Sequence, residues 1–223
     1  MTDTTPPASA PSPVFENLVA GYRRFRETGW TPRRDRWAEL REGQEPEVMV
    51  IACSDSRVDP AQIFDAAPGE MFVVRNVAAM VPPFETAPGH HGVSAALEFA
   101  VQVIGVKEIV VLGHGMCGGA RAALTRELHG NPPGEGGFIA DWIAMLDEAR
   151  AEVVPRLGTT GRTAERAMEE AGVRVSLANL RTFPCIRRKE REGTLKLRGA
   201  FFAISDGVLH VMDEVTGEFL PTV

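Results

Sequence analysis

Three short, unbroken apolar runs constrain this chain more than any other feature. They are Val48-Met49-Val50-Ile51-Ala52, Met71-Phe72-Val73-Val74 and Ile109-Val110-Val111-Leu112, the last led by Glu108. None alternates polar with apolar, as a strand with one wet face would. Each suits a strand buried on both faces. Around them the apolar residues change to helical spacing. Gly92 to Ile104 sets Val93, Ala96, Leu97, Ala100, Val101 and Ile104 on one face, with Gly105 as a stop. Pro60 to Phe64 reads as a short helix with proline near its start. Further helices are expected at Gly119–Leu128, Phe138–Val154 and Thr163–Leu180, and strands from Thr194 to Met212 with a turn at Ser205-Asp206-Gly207. Buried strands alternating with helices predict an α/β domain: a central, largely parallel β-sheet flanked by helices.

That domain is expected over residues 46–223. Residues 1–13, rich in Thr, Pro, Ser and Ala, read as a flexible tail, and 14–45 as an N-terminal helical arm. In the arm Phe15, Leu18, Val19, Tyr22 and Phe25 share one face, and Gly29 stops the helix. Such an arm either covers its own domain or reaches a neighbouring subunit. The net charge of -6 argues against a nucleic-acid partner, because the one dense basic run, Arg187-Arg188-Lys189 with Arg191, is interrupted by Glu190. No apolar stretch has the length of a membrane span. The first residues lack the basic and apolar parts of a secretory signal, so a cytoplasmic protein is expected. Three cysteines, Cys53, Cys117 and Cys185, do not make a disulfide framework in a chain this long.

In parallel sheets, ligands bind beyond the carboxyl ends of the strands, where the chain order reverses. The first run leads into Cys53-Ser54-Asp55-Ser56-Arg57, and the third into Gly113-His114-Gly115-Met116-Cys117-Gly118-Gly119. Two strand ends thus present a cysteine and a His-x-x-Cys. Two thiolates and an imidazole suit zinc, and three protein ligands leave its fourth position for water. The glycines of the second loop are expected to let the backbone bend close to the metal. Asp55 and Arg57, on alternate residues, project to one side in an extended stretch. Beside a metal, Asp55 is either a fourth ligand or an acceptor for the metal's water, with Arg57 fixing it. Cys185, within Phe183-Pro184-Cys185-Ile186, reads as core packing.

The motifs Cys-Ser-Asp-Ser-Arg-Val, Pro-Gly-Glu-Met-Phe-Val-Val-Arg-Asn-Val-Ala and Gly-His-x-x-Cys-Gly-Gly stand here in this order. The chain, from about Gln44 to Met212, resembles the β-class carbonic anhydrases. The resemblance implies one zinc per chain on Cys53, His114 and Cys117, and a catalytic dyad of Asp55 and Arg57. It also implies interconversion of carbon dioxide and bicarbonate by hydroxide formed at the zinc, and a homodimer that can pair into tetramers or larger assemblies. Gly43-Gln44, Val81-Pro82-Pro83-Phe84 and Ser176-Leu177-Ala178-Asn179-Leu180 are similar to the plant-like subtype, whose zinc is open to water. The other subtype closes its zinc with the help of a bicarbonate site using Trp and Tyr, and Leu197 to Phe202 carries neither. Around the substrate the resemblance places Gln44 as an amide donor, Phe84 and Phe99 as apolar walls, and the backbone amide of Gly118 as a second donor. Phe99 stands where that subtype often has Tyr. His90 and His91 are either proton carriers or loop histidines facing water. Two alternatives remain: hydrolysis of carbon disulfide or carbonyl sulfide on the same zinc set, and a zinc-binding regulatory protein without turnover.

Overall fold

The computed structural model describes residues 12–222. Of the expected tail, residues 1–11 lie outside that range. Ser12 caps the first helix and Pro13 opens it. The chain divides into two compact units, one ending at Gln44 and one beginning at Glu45.

The first unit holds α1 (Pro13–Phe25) and α2 (Arg34–Leu40), joined by a π turn at Arg26–Trp30 and a 3-10 turn at Thr31–Arg33. Proline opens α1 where no amide partner is needed, and the Ser12 hydroxyl accepts from the Phe15 amide at 3.3 Å. The ring of Phe25 meets Trp37 edge-on at 6.1 Å. Phe15, Leu18 and Tyr22 stay exposed on α1.

The second unit is built on six strands: β1 (Val48–Cys53), β2 (Met71–Asn76), β3 (Glu108–His114), β4 (Lys196–Ala203), β5 (Val208–Met212) and β6 (Phe219–Pro221). Their order in the sheet is β2-β1-β3-β4-β5-β6. The first four run parallel, and β5 and β6 are antiparallel additions. The helices are α3 (Pro60–Ile63), α4 (Gly92–Glu98), α5 (Gly118–Thr125), α6 (Gly137–Ile143), α7 (Asp147–Leu157), α8 (Arg162–Leu180) and α9 (Pro184–Arg191). On one face of the sheet Met49, Ile51, Ile109, Val111 and Leu197 pack with Leu97, Val101, Val173, Leu177 and Leu180. On the other, Val50, Ala52, Leu112 and Ala200 pack with Ile63, Phe64 and Leu209. Successive side chains of β1 and β3 enter opposite cores, which is why these strands read as continuous apolar runs.

From β1 the chain goes to β2 on one side and then to β3 on the other. The order therefore reverses between β1 and β3, and the crevice there lies at their carboxyl ends. Two close approaches shape it. A Cβ on Gly113 would stand 2.6 Å from Val173 Cγ2 of α8, so β3 and α8 pack backbone against side chain. A Cβ on Gly119 would stand 2.8 Å from Val77 Cγ1, which lets the start of α5 lie against the segment after β2.

Three elements differ from expectation. The helix expected over Phe138–Val154 is broken into α6, a 3-10 turn at Ala144–Leu146 and α7. Ile143 and Leu146 are both buried three residues apart, and tightening the turn brings such a pair onto one face. The expected helix from Gly92 to Ile104 widens to a π-helix over Phe99–Ile104 before Gly105 ends it at φ +81°. The basic run after Pro184 is a helix, α9, which buries Cys185 and Ile186. Among the described residues no helix is long and apolar enough to cross a membrane.

Candidate metal centre

Cys53 is the last residue of β1 and His114 the last of β3, and Cys117 caps the amino end of α5. The topology thus delivers all three to the crevice between β1 and β3. Their ligand atoms lie within 4.8 Å of one another, and all three residues are buried. A tetrahedral zinc with bonds of about 2.0–2.3 Å would set such atoms roughly 3.5–4 Å apart, so small side-chain adjustments suffice.

The imidazole is already oriented. His114 Nδ1 lies 2.9 Å from the Gly115 carbonyl, which can only accept, so Nδ1 carries the proton. Nε2 is then an acceptor, and it is buried with no hydrogen-bond partner. A bare ring nitrogen aimed among two thiols is costly unless something binds it. The donor set therefore fits zinc.

The thiols behave as a pair. A hydrogen bond from Cys117 pulls Cys53 down to about 4, with His114 adding to the effect against the cost of burial. The same bond, together with burial, pushes the Cys117 thiol up. A cation replaces the thiol proton and lets both sulfurs ionise.

Asp55 and Arg57 face each other in the loop after β1. Asp55 Oδ1 accepts from the Arg57 amide at 3.0 Å and from Nε at 2.9 Å, and Oδ2 accepts from Nη2 at 2.7 Å. These bonds hold the Asp55 carboxyl well below the usual carboxylate range. Arg57 Nη2 also donates to the Met116 carbonyl at 3.0 Å, bridging the two strand-end loops. A cavity of about 400 Å³ opens beside the dyad, lined by Asp55, Arg57, Met116, Cys117, Gly118 and Arg121 among others.

The remaining expected residues are more dispersed. Gly118 is exposed in that cavity, at the first position of α5. Phe99 stacks on Phe72 with centroids 5.9 Å apart. Phe84 meets Phe183 edge-on at 5.5 Å. Gln44 closes the first unit and is exposed. His91 Nε2 donates to the Ala87 carbonyl at 2.8 Å, and His90 is exposed. Gly113, Gly115, Gly118 and Gly119 all avoid positive φ, and the left-handed residue of their loop is Met116, at φ +58°.

Two side chains at the site were not anticipated. Arg75, at the end of β2, donates to the carbonyls of Cys53 at 2.9 Å and Asp55 at 2.6 Å, and to Asp59 Oδ2 at 3.1 Å. It clamps the whole loop that carries the dyad. An arginine inside an apolar strand was the available signal. Glu169 of α8 accepts from the Cys117 amide at 3.1 Å and is buried, which pushes its carboxyl up. Nothing in Met168-Glu169-Glu170-Ala171 marks which acid points inward.

Residues 48–209 match the family described as carbonic anhydrase. A carbonic anhydrase of Pseudomonas aeruginosa is 34% identical over 206 residues, covering 92% of this chain and 91% of that protein. The β-carbonic anhydrase CcaA is similar with a TM-score of 0.85 and 30% identity, over 93% of this chain and 99% of that one. A structure from work on two tetrameric β-carbonic anhydrases of Sordaria macrospora is similar with a TM-score of 0.77 and 28% identity, over 90% and 98%.

Proposed function

The chain belongs to the β-carbonic anhydrases, and we propose that it holds one zinc ion on Cys53, His114 and Cys117 and interconverts carbon dioxide and bicarbonate. The observation that carries this reading is the unpartnered His114 Nε2, buried with two thiols within 4.8 Å, beside an aspartate held by arginine. Zinc in such a set supplies the Lewis acidity that makes water a nucleophile near neutral pH.

The chain's own residues do the rest. Two thiolates would offset the charge of a bound ion more than three neutral imidazoles would, so activity should rise on the alkaline side of neutral. Asp55 is ionised well below that range, so it acts as an acceptor throughout and contributes no step to the pH profile. By accepting from the attacking water it aims the oxygen lone pair at the carbon of the substrate. Arg57 fixes the carboxylate through three bonds and keeps it out of the ligand cluster, which supports an open metal position. Gly118, exposed in the cavity beside the dyad, is assigned a backbone donor to the oxygen that gains charge. Gln44 is assigned a second donor, and Phe99 and Phe84 apolar contact with the approaching substrate.

Elemental analysis should find one zinc per chain, with carbon dioxide hydration increasing between about pH 7 and pH 8.5. A metal-free protein, or a zinc-loaded one without hydration activity, would sink the reading. We place the enzyme in the cytoplasm, consistent with three free cysteines. We also assign it a homodimer that can assemble further. The exposed Phe15, Leu18 and Tyr22 on α1 support this, as do the tetrameric relatives of Sordaria macrospora. Sedimentation should give a dimer or larger at micromolar concentration; a stable, active monomer there would refute the assignment.

A further inference from the structure

Glu169 is the buried charge that the proposed chemistry leaves unused. It sits on the inward face of α8 among Ala164, Met168, Gly172 and Val173, and its side chain is 1% exposed. Burying a carboxylate is expensive, and a leucine would fill this face at far lower cost. A long ion pair recovers little of that expense. The nearest cation, Arg162, is at 3.9 Å, and Oε2 has no hydrogen-bond partner among the described residues. What it does accept is the Cys117 amide, on Oε1 at 3.1 Å, with the Met116 amide of the same turn also favouring its charged form.

That bond falls on a strained turn. Met116, just before Cys117, is a non-glycine residue at φ +58°. Such a conformation persists only where its surroundings impose it. Here the Met116 carbonyl is held by Arg57 from one side, and the next amide by Glu169 from the other. The direction of the Cys117 side chain follows from that grip.

We propose that Glu169 is a positioning residue that aims Cys117 at the metal by accepting its backbone amide. The inference rests on the zinc reading above. Its test compares Glu169→Gln with Glu169→Leu in the full chain. Zinc affinity is read by chelator competition, and the thiolate-to-cobalt absorption is read after loading with cobalt(II). Leucine should weaken zinc about 10–100-fold, the range for residues that orient metal ligands, and lower the absorption as Cys117 slips away. Glutamine keeps an oxygen that accepts from the amide, so affinity and absorption should stay near those of the unmodified protein. If leucine held zinc as tightly as glutamate, the side chain would be packing only and the proposal would fall. Equal loss in both variants would make charge, not the hydrogen bond, the active feature and would also overturn it. Should Glu169→Leu not fold, Glu169→Met offers the same contrast. Unmodified protein that takes up neither zinc nor cobalt would instead remove the zinc reading itself, an outcome distinct from any difference among variants.

Discussion

Cys117→Ser is expected to strip the chain of zinc and abolish carbon dioxide hydration. A serine hydroxyl does not ionise near neutral pH, whereas a thiol beside a cation and a helix amino end does. Cys117 caps α5, so the amides of that helix favour an anion on it. The neighbouring thiol and imidazole would remain, but two ligands hold zinc far more weakly than three. The loss should not be an unfolding artefact. Serine is close in size, and the unpaired hydroxyl at this buried position costs only about 1–3 kcal/mol. Circular dichroism should therefore be unchanged while dialysis against a chelator removes the metal. Retention of one zinc per chain in the variant would take Cys117 out of the ligand set.

Asp55→Asn should keep the zinc and lose about a hundredfold or more in turnover, the scale at which a positioned proton acceptor contributes. The amide can present its oxygen or its NH2 to the attacking water, and only the oxygen aims a lone pair correctly. It also breaks the charge-assisted pair in which Arg57 donates to both carboxylate oxygens. Arg57→Ala should lose activity by a different route. With Nη2 gone, Asp55 is free to turn toward the metal, and the Met116 carbonyl loses its donor. Zinc content together with kcat separates these cases from Cys117→Ser: both dyad variants keep the metal. An Asp55→Asn enzyme within a few-fold of normal turnover would remove Asp55 from the mechanism.

Strands β1 and β3 were readable because both their faces are buried, which leaves a run of apolar residues that no amphipathic helix produces; β2 reads the same way, yet it lies at the edge of the sheet, only partly buried and with Val73 exposed. The metal cluster was readable for a related reason: its residues sit at the ends of those strands, where a parallel sheet puts its ligands. Contacts that cross from one element to another were not readable. Glu169 looks like any solvated helix acid until α8 is placed over the Cys117 loop. Arg75 looks like a strand-end charge until its guanidinium is seen on two carbonyls of the neighbouring strand's loop. The contact of Phe84 with Phe183, about a hundred residues away in sequence, was equally hidden. The helix α9 was hidden because five charged residues from Arg187 to Arg191 read as a surface run, while Pro184, Cys185 and Ile186 supply its start and its buried side. β6 is three residues long, too short for any alternation to register.

The crevice between β1 and β3 also sets an order in time. During synthesis Cys53 emerges about sixty residues ahead of His114; at ~5–20 residues per second this is an interval of roughly 3–12 s. Through it the nascent chain carries one prospective ligand with no partner. Cys117 follows at once after His114, but Glu169 comes about fifty residues later still. The ion therefore cannot template the early chain. An ion held by this set would be bound only once β1 and β3 have come together, with β4 to β6 still to be made when the last ligand emerges.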